Sequence, residues 1–461
     1  MDYDILIVGS GPAGQHAAWQ AAHMGKKAAI IERKPNIGGA GLQTGTIPSK
    51  ALREAAYLLS RSGARGMRSA FEPGSASRHG LLADAVRRKD AVIAMQESVI
   101  LKQLLSSGVT LIPGEASFVD AHTLQVKGAN GRVKRLTADI IVLATGSRPR
   151  RPAEVPFDKK TVLDSTSILK LKRLPKSLLV VGGGVIACEF VSIFASLGVE
   201  VAVVDSHAQL LAYLSEDVVG VLADAFAGMG VNLHMQERVA TIRKTTEGTL
   251  TLLESGKQLQ TEAVLYALGR EPNSDSLHLD QVGLDLDQGW IRVDACFRSS
   301  VPNIYAVGDL IGRPALASTG MAQGRAAVLH AFSGETEALP KNLPMAIYTI
   351  PELSWVGRTE KEVKAAGLNY VVGRGHFGDS ARGQIIGEAN GLLKLLVDRD
   401  TEQLLGVHIV GEQASELVHI GQLLMNHGGT VRDLVANVFN YPTLAECYKL
   451  AALDCLRQLG K

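Results

Sequence analysis

Cysteine is scarce in this chain. Its 461 residues include four, Cys188, Cys296, Cys447 and Cys455, and no two have C-x-x-C spacing. That points away from a disulfide framework or a zinc site and toward reduced thiols in a cytoplasmic protein. Net charge is nearly absent as well. Lys+Arg number 48 against 46 Asp+Glu, so no strong field for nucleic acid or a membrane surface is expected. The N-terminus, MDYDILIVGSG, shows no basic or long apolar leader and enters a strand at once. The longest weakly charged stretch, Leu178 to Val204, contains three consecutive glycines, Glu189 and Glu200. It reads as a buried strand–turn–helix–strand rather than a membrane span. Aromatics make up 5% of the chain while glycine fills 48 positions, a balance that suits an α/β protein rich in tight turns. The length calls for two or three domains.

Glycine is placed where chemistry needs it. The apolar run Ile5 to Val8 leads into Gly9-Ser10-Gly11-Pro12-Ala13-Gly14, then a small-residue helix to Gly25, then Ala28 to Ile31 and Glu32. Strand, glycine turn, helix, strand and acid make the dinucleotide-binding pattern: backbone amides meet a pyrophosphate and the acid accepts from a ribose. The pattern recurs about 170 residues on. Ser177 to Val181 precedes Gly182-Gly183-Gly184-Val185-Ile186-Ala187, a helix through Leu197, and the strand Val199 to Val204 ending in Asp205. Two complete copies predict two bound dinucleotides. Further along, Asn303 to Asp309 reads as a strand ending in a carboxylate, before a helix that begins near Leu316-Ala317. Glu416 and His419 have metal-pair spacing, but no second such pair exists, so no metal is expected.

In these motifs the chain resembles the flavin-dependent pyridine nucleotide-disulfide oxidoreductases. The resemblance extends through Pro48-Ser49-Lys50, Ala144-Thr145-Gly146, Ala267-Leu268-Gly269-Arg270, Val307-Gly308-Asp309 and Tyr441-Pro442-Thr443-Leu444-Ala445-Glu446. It implies an α/β fold with two Rossmann-like dinucleotide-binding domains and a C-terminal α+β dimerisation domain. An FAD domain would span 1–150 and resume at 270–338, an NAD(P) domain 151–269, and the interface of a homodimer 339–461. Residues 62–80, rich in Gly, Ser and Arg, read as an exposed excursion. The resemblance implies FAD contacts at Gly9, Gly11, Pro12, Ala13, Gly14, Glu32, Gly39, Thr46, Lys50, Ala116, Gly146, Asp309 and Ala317. It implies contacts to NAD or NADP at Gly182, Gly184, Ala187, Asp205, Val239 and Gly269. Lys50 and Glu189 would form the catalytic pair beside the flavin.

One loop departs from that family. In Gly38-Gly39-Ala40-Gly41-Leu42-Gln43-Thr44-Gly45-Thr46, the resemblance places the two redox cysteines at Gly41 and Thr46, and the family's acid–base histidine at Tyr441. Neither residue cycles through a disulfide, and a neutral tyrosine is a poor base at pH 7, so disulfide reduction by the family route is excluded. One branch, the soluble pyridine nucleotide transhydrogenases, shares the run from Gly45 to Arg53 and the run from Phe439 to Thr443, though it keeps the first cysteine. What that implies is ping-pong hydride exchange between NAD(H) and NADP(H) through flavin N5. A dehydrogenase passing electrons to a quinone, dye or oxygen shares the same residues. A nucleotide-binding module without turnover is the reading from another class. Asp205 favours NAD, with His207 or Arg243 as candidate partners for the 2′-phosphate of NADP.

Overall fold

The structure, a computed structural model, describes residues 1–64 and 76–460. Residues 65–75, the middle of the expected excursion, lie outside the described residues; its flanks end the helix Thr46–Ala64 and begin the helix Ala76–Ser106. The chain divides into two compact units. The first comprises Met1–Ala51, Asp84–Arg151 and Gly269–Leu339, and the second Leu52–Ala83, Pro152–Leu268 and Pro340–Lys461.

In the first unit a parallel sheet runs Thr110–Pro113, Ala28–Glu32, Tyr3–Val8, Val133–Leu143, Ile304–Ala306. The strand Val133–Leu143 serves two sheets. Its second half joins the parallel layer, and its first half pairs antiparallel with Thr123–Lys127, which pairs with Glu115–Asp120. Ile5, Leu6 and Ile7 are fully buried, because a parallel sheet is covered on both faces. Each such side chain contributes about 1.5–3 kcal/mol of burial. The helix Pro12–His23 lies against the helix Ala317–Ser333, and small residues permit the close approach. A Cβ on Gly324 would stand 2.2 Å from the Ala13 carbonyl oxygen.

The second unit holds another parallel sheet, ordered Asn232–Met235, Glu200–Asp205, Ser177–Val181, Ala263–Tyr266, Val162–Leu163. The helix Val185–Ser196 follows the strand Ser177–Val181 in the chain, and the helix Glu216–Gly228 follows Glu200–Asp205. The remainder of this unit has a five-stranded antiparallel sheet packed by the helices Ala414–Asn426 and Glu446–Gln458 around Tyr448, Phe377, Leu395 and Val407. Two parallel nucleotide-type sheets and a C-terminal α+β layer are thus the architecture the sequence implies. Among the described residues, no helix is long and apolar enough to cross a membrane.

Candidate active site

The first glycine turn is built by exclusion of side chains. Gly9 has φ +108°, and its Cβ would meet the Ala144 carbonyl oxygen at 2.4 Å. A Cβ on Gly14 would stand 2.0 Å from the Gly9 carbonyl oxygen, and one on Gly39 2.7 Å from Gly11 Cα. What remains is bare backbone before the helix Pro12–His23. No side chain caps that helix, so its first-turn N–H groups are left for an anion. Glu32 closes the turn: Oε2 accepts from the Ser10 N–H at 2.9 Å and the Ser10 hydroxyl at 2.7 Å, and Oε1 from the Lys34 N–H at 2.8 Å. This donor set and cradle fit the diphosphate and ribose of FAD.

Asp309 corrects the sequence reading. The strand stops at Ala306, and Asp309 lies in a 3₁₀ turn, Gly308–Ile311. Gly308 adopts φ +71° and donates its N–H to the Gln323 side chain at 2.8 Å, which takes the chain out of the sheet. The Asp309 carboxylate accepts from the Ser147 hydroxyl at 2.6 Å, and Ser147 Oγ accepts from Arg270 Nε at 2.7 Å. Nearby, Gly146 has φ +68° and accepts from the Asn273 N–H, while Ala317 opens the helix Ala317–Ser333, again without a side-chain cap. Ala116 is buried in the strand Glu115–Asp120.

Lys50 lies in the first turns of the helix Thr46–Ala64, half-buried, with Nζ 3.4 Å from Ser49 Oγ. Thr46, the first residue of that helix, is exposed. Gly41 belongs to a short helix, Gly39–Gln43, and a Cβ there would meet Pro12 Cγ at 3.1 Å. The missing thiol position is therefore partly filled by the proline ring of the first glycine turn.

In the second unit the turn is repeated. Gly182 has φ +115°, Gly184 caps the helix Val185–Ser196 without a side chain, and Ala187 is buried within that helix. Asp205 ends its strand as Glu32 does, accepting from the Gly183 N–H at 2.5 Å. Val239 opens an antiparallel strand, Val239–Thr245. Glu189 is buried on the helix Val185–Ser196 and accepts from the Tyr348 N–H at 3.0 Å. Gly269, at φ +92°, belongs to the first unit, where it accepts from the Arg150 N–H. Tyr441 is 74% exposed, and Glu446 Oε2 is a buried atom without a hydrogen-bond partner. Among the described residues, no group of three or more metal-type side chains gathers.

Ser10, Ser147, Arg270 and Gln323 join the site without being expected from the sequence. Ser10 occupies the free position of the glycine pattern, and a lone serine or glutamine carries no spacing signal. Arg270 alone has one, since it directly follows Gly269 in a family motif.

Each of the two units thus carries a glycine turn closed by a carboxylate beside a parallel sheet, the pattern of a dinucleotide-binding fold. Residues 3–324 match the family model for the pyridine nucleotide-disulphide oxidoreductases, and residues 343–452 match their dimerisation domain. The chain belongs to that family and is an FAD-dependent oxidoreductase. It is 45% identical to the soluble pyridine nucleotide transhydrogenase of Mycobacterium bovis (strain BCG / Pasteur 1173P2), over 99% of this chain and 98% of that protein. The protein of the same name from Pectobacterium atrosepticum is 41% identical over the same shares. Among solved structures, LpdA from Mycobacterium tuberculosis superposes with a TM-score of 0.89 at 30% identity, covering 97% of this chain and 98% of that one. The HOCl-induced flavoprotein disulfide reductase RclA from Escherichia coli gives 0.88 at 26% identity, covering 98% and 99%.

Restoring one thiol will not restore disulfide chemistry. Gly41→Cys introduces a sulfur whose Cβ displaces the Pro12 ring by a few tenths of an ångström, with threonine still at position 46. The expected NADH-dependent lipoamide or glutathione disulfide reduction stays below about a thousandth of the enzyme's nicotinamide turnover, because no dithiol can form. A rate within about tenfold of that turnover would contradict the reading of this loop.

Proposed function

We propose that the chain is a homodimeric, cytoplasmic enzyme that exchanges hydride between NAD(H) and NADP(H). The observation that carries this reading is the pairing of two carboxylate-closed glycine turns with a loop that has Gly41 and Thr46 in place of thiols. The names and 41–45% identity of the curated relatives support it. In this reading residues 1–150 and 270–338 hold FAD, 151–269 hold the nicotinamide nucleotide, and 339–461 join two copies.

Bound FAD would supply two-electron redox chemistry. The chain's own residues bind and polarise. The backbone of Gly9 to Gly14 and the carboxylate of Glu32 would hold the adenosine diphosphate half. Asp309, oriented by Ser147 and Arg270, would hold the ribityl chain. The uncapped first turn of Ala317–Ser333 favours negative charge through the helix dipole. Lys50 would add positive charge beside the flavin, and Glu189, to which the resemblance gives a catalytic role, is a buried carboxylate of the second unit. Exchange between two nicotinamides transfers no proton to a substrate bond, so tyrosine in the histidine position costs the reaction nothing.

Steady-state reduction of thio-NAD⁺ by NADPH tests this reading. The companion variant Gly41→Leu should change that rate by less than about twofold while lowering quinone reduction by about tenfold or more, because leucine fills space a larger acceptor needs. Quinone reduction without thio-NAD⁺ reduction would make the protein a dehydrogenase.

A further inference from the structure

The carboxylate that closes the second glycine turn has little acceptor capacity to spare. Asp205 Oδ2 accepts from the Gly183 N–H at 2.5 Å. Asp205 Oδ1 accepts from the His207 N–H at 2.8 Å, and His207 Nδ1 lies 2.6 Å from the same oxygen. An ionised carboxylate has about four lone-pair positions, so these three bonds leave about one. The 2′- and 3′-hydroxyls of NAD(H) present two donors. Asp205 therefore grips one of them, or releases His207 to grip both.

The same geometry sets the imidazole tautomer. A carboxylate oxygen only accepts, so Nδ1 must donate and carries a proton in either charge state of the ring. The atom that gains or loses a proton is Nε2, on a side chain that is 64% exposed. When the ring is neutral, Nε2 is an acceptor, which suits a ribose hydroxyl. When it is protonated, the ring offsets the Asp205 charge and presents Nε2–H as a cationic donor, which suits a phosphate.

We propose that His207 is a specificity-determining residue of the second nucleotide site: with Asp205 it admits both NAD(H) and NADP(H), and its imidazolium form takes the 2′-phosphate. The inference rests on the assignment of 151–269 as the nicotinamide-nucleotide domain. The surroundings are defined. The Gln236 N–H donates to the His207 carbonyl and the Glu237 N–H to the Asp205 carbonyl, each at 3.0 Å, which places the turn carrying Glu237 and Arg238 against the pair. The neighbouring strand carries His234, whose ring lies 3.2 Å from Lys257 Nζ. The glycine turn on the other side contributes no charged side chain.

The test is calorimetric titration of the FAD-loaded protein with 5′-AMP and with 2′,5′-ADP, which differ by the 2′-phosphate and accept no hydride. Native protein and His207→Gln are compared at about pH 6 and about pH 8.5. Ionisation of the 2′-phosphate itself strengthens binding as pH rises, but equally in both proteins, as does any contribution from His234, Glu237 or Arg238. The ratio of native to variant affinity therefore isolates the ring. At the lower pH the native protein should bind 2′,5′-ADP about tenfold more tightly than the variant, the size of one hydrogen bond to a charged group, and at the higher pH within about twofold. Affinities for 5′-AMP should agree within about twofold throughout. His207→Arg should keep tight 2′,5′-ADP binding at both pH values. A native-to-variant ratio that does not change with pH overturns the proposal while leaving hydride exchange intact. Failure of both nucleotides to bind any of the proteins overturns it together with the nucleotide-domain assignment.

Discussion

Lys394→Ala lowers the unfolding free energy by about 3–5 kcal/mol, the cost of leaving two half-buried carboxylates without their buried cation. Lys394 is fully buried, with Nζ 2.8 Å from Asp217 Oδ1 and 2.5 Å from Glu360 Oε2. Asp217 lies in the first turn of the helix Glu216–Gly228 that follows the second glycine-turn fold, and Glu360 starts a helix of the C-terminal α+β layer. The triad thus ties two parts of one unit. Arg374 and Lys364 also meet these carboxylates, but both are well exposed and screened by water. Burial alone would raise both carboxyl groups, yet hydrogen bonds and charge from Lys394 outweigh it and hold each at about 2. The sign follows from those depressed values. Stability from the triad is complete above the unfolded carboxylate range near pH 4 and is lost as pH falls toward 2. Urea unfolding at neutral pH and at about pH 3.5 should show the native protein losing more stability on acidification than Lys394→Ala. If the variant is unstable to purify, the triple change Lys394→Met, Asp217→Asn, Glu360→Gln should recover at least about half the loss, because it removes the uncompensated charges. Native-like stability of Lys394→Ala at neutral pH would refute the account of this triad.

Gly14→Ala should yield protein carrying less than about a tenth of its flavin, since the added methyl must displace backbone rather than a flexible side chain. Its Cβ would stand 2.0 Å from the Gly9 carbonyl oxygen, so the helix Pro12–His23 must part from the turn that it is built to follow. Gly184→Ala is the matched control. It belongs to the glycine turn of the second fold, where an added methyl would meet nothing within 4 Å, and should retain flavin and fold. The measurement is the ratio of visible flavin absorbance to protein absorbance after gel filtration. Full flavin content in Gly14→Ala would contradict the close-packed cradle; flavin loss in both variants would point to general instability.

The two glycine patterns are legible in the amino-acid sequence because the demands behind them are local. Ala187 stands where Gly14 stands in the first copy, and both follow strands whose apolar runs announce burial. Glycine at position 14 answers to a backbone contact only five residues away, and local demands leave local patterns. Asp309 is legible as a functional carboxylate but not as a turn residue, because the Gln323 side chain that draws Gly308 out of the sheet comes 15 residues later. The bonds of Ser147 to Asp309 and Arg270 join positions more than 120 residues apart, and Lys394, Asp217 and Glu360 each look like ordinary surface residues in sequence. Such contacts are products of tertiary folding. Asp205 shows the limit from the other side: its place at the strand end is readable, but its shared hydrogen bond with His207, which decides what it can still accept, is not.

The most direct measurement is anaerobic. The bound flavin is reduced with NADPH, the released nucleotide is removed, NAD⁺ is added, and flavin absorbance and NADH are followed together. Hydride exchange predicts rapid bleaching by NADPH, then recovery of the oxidised flavin spectrum with one NADH formed per flavin. Bleaching that NAD⁺ fails to reverse, with recovery only on adding a quinone or oxygen, would contradict it.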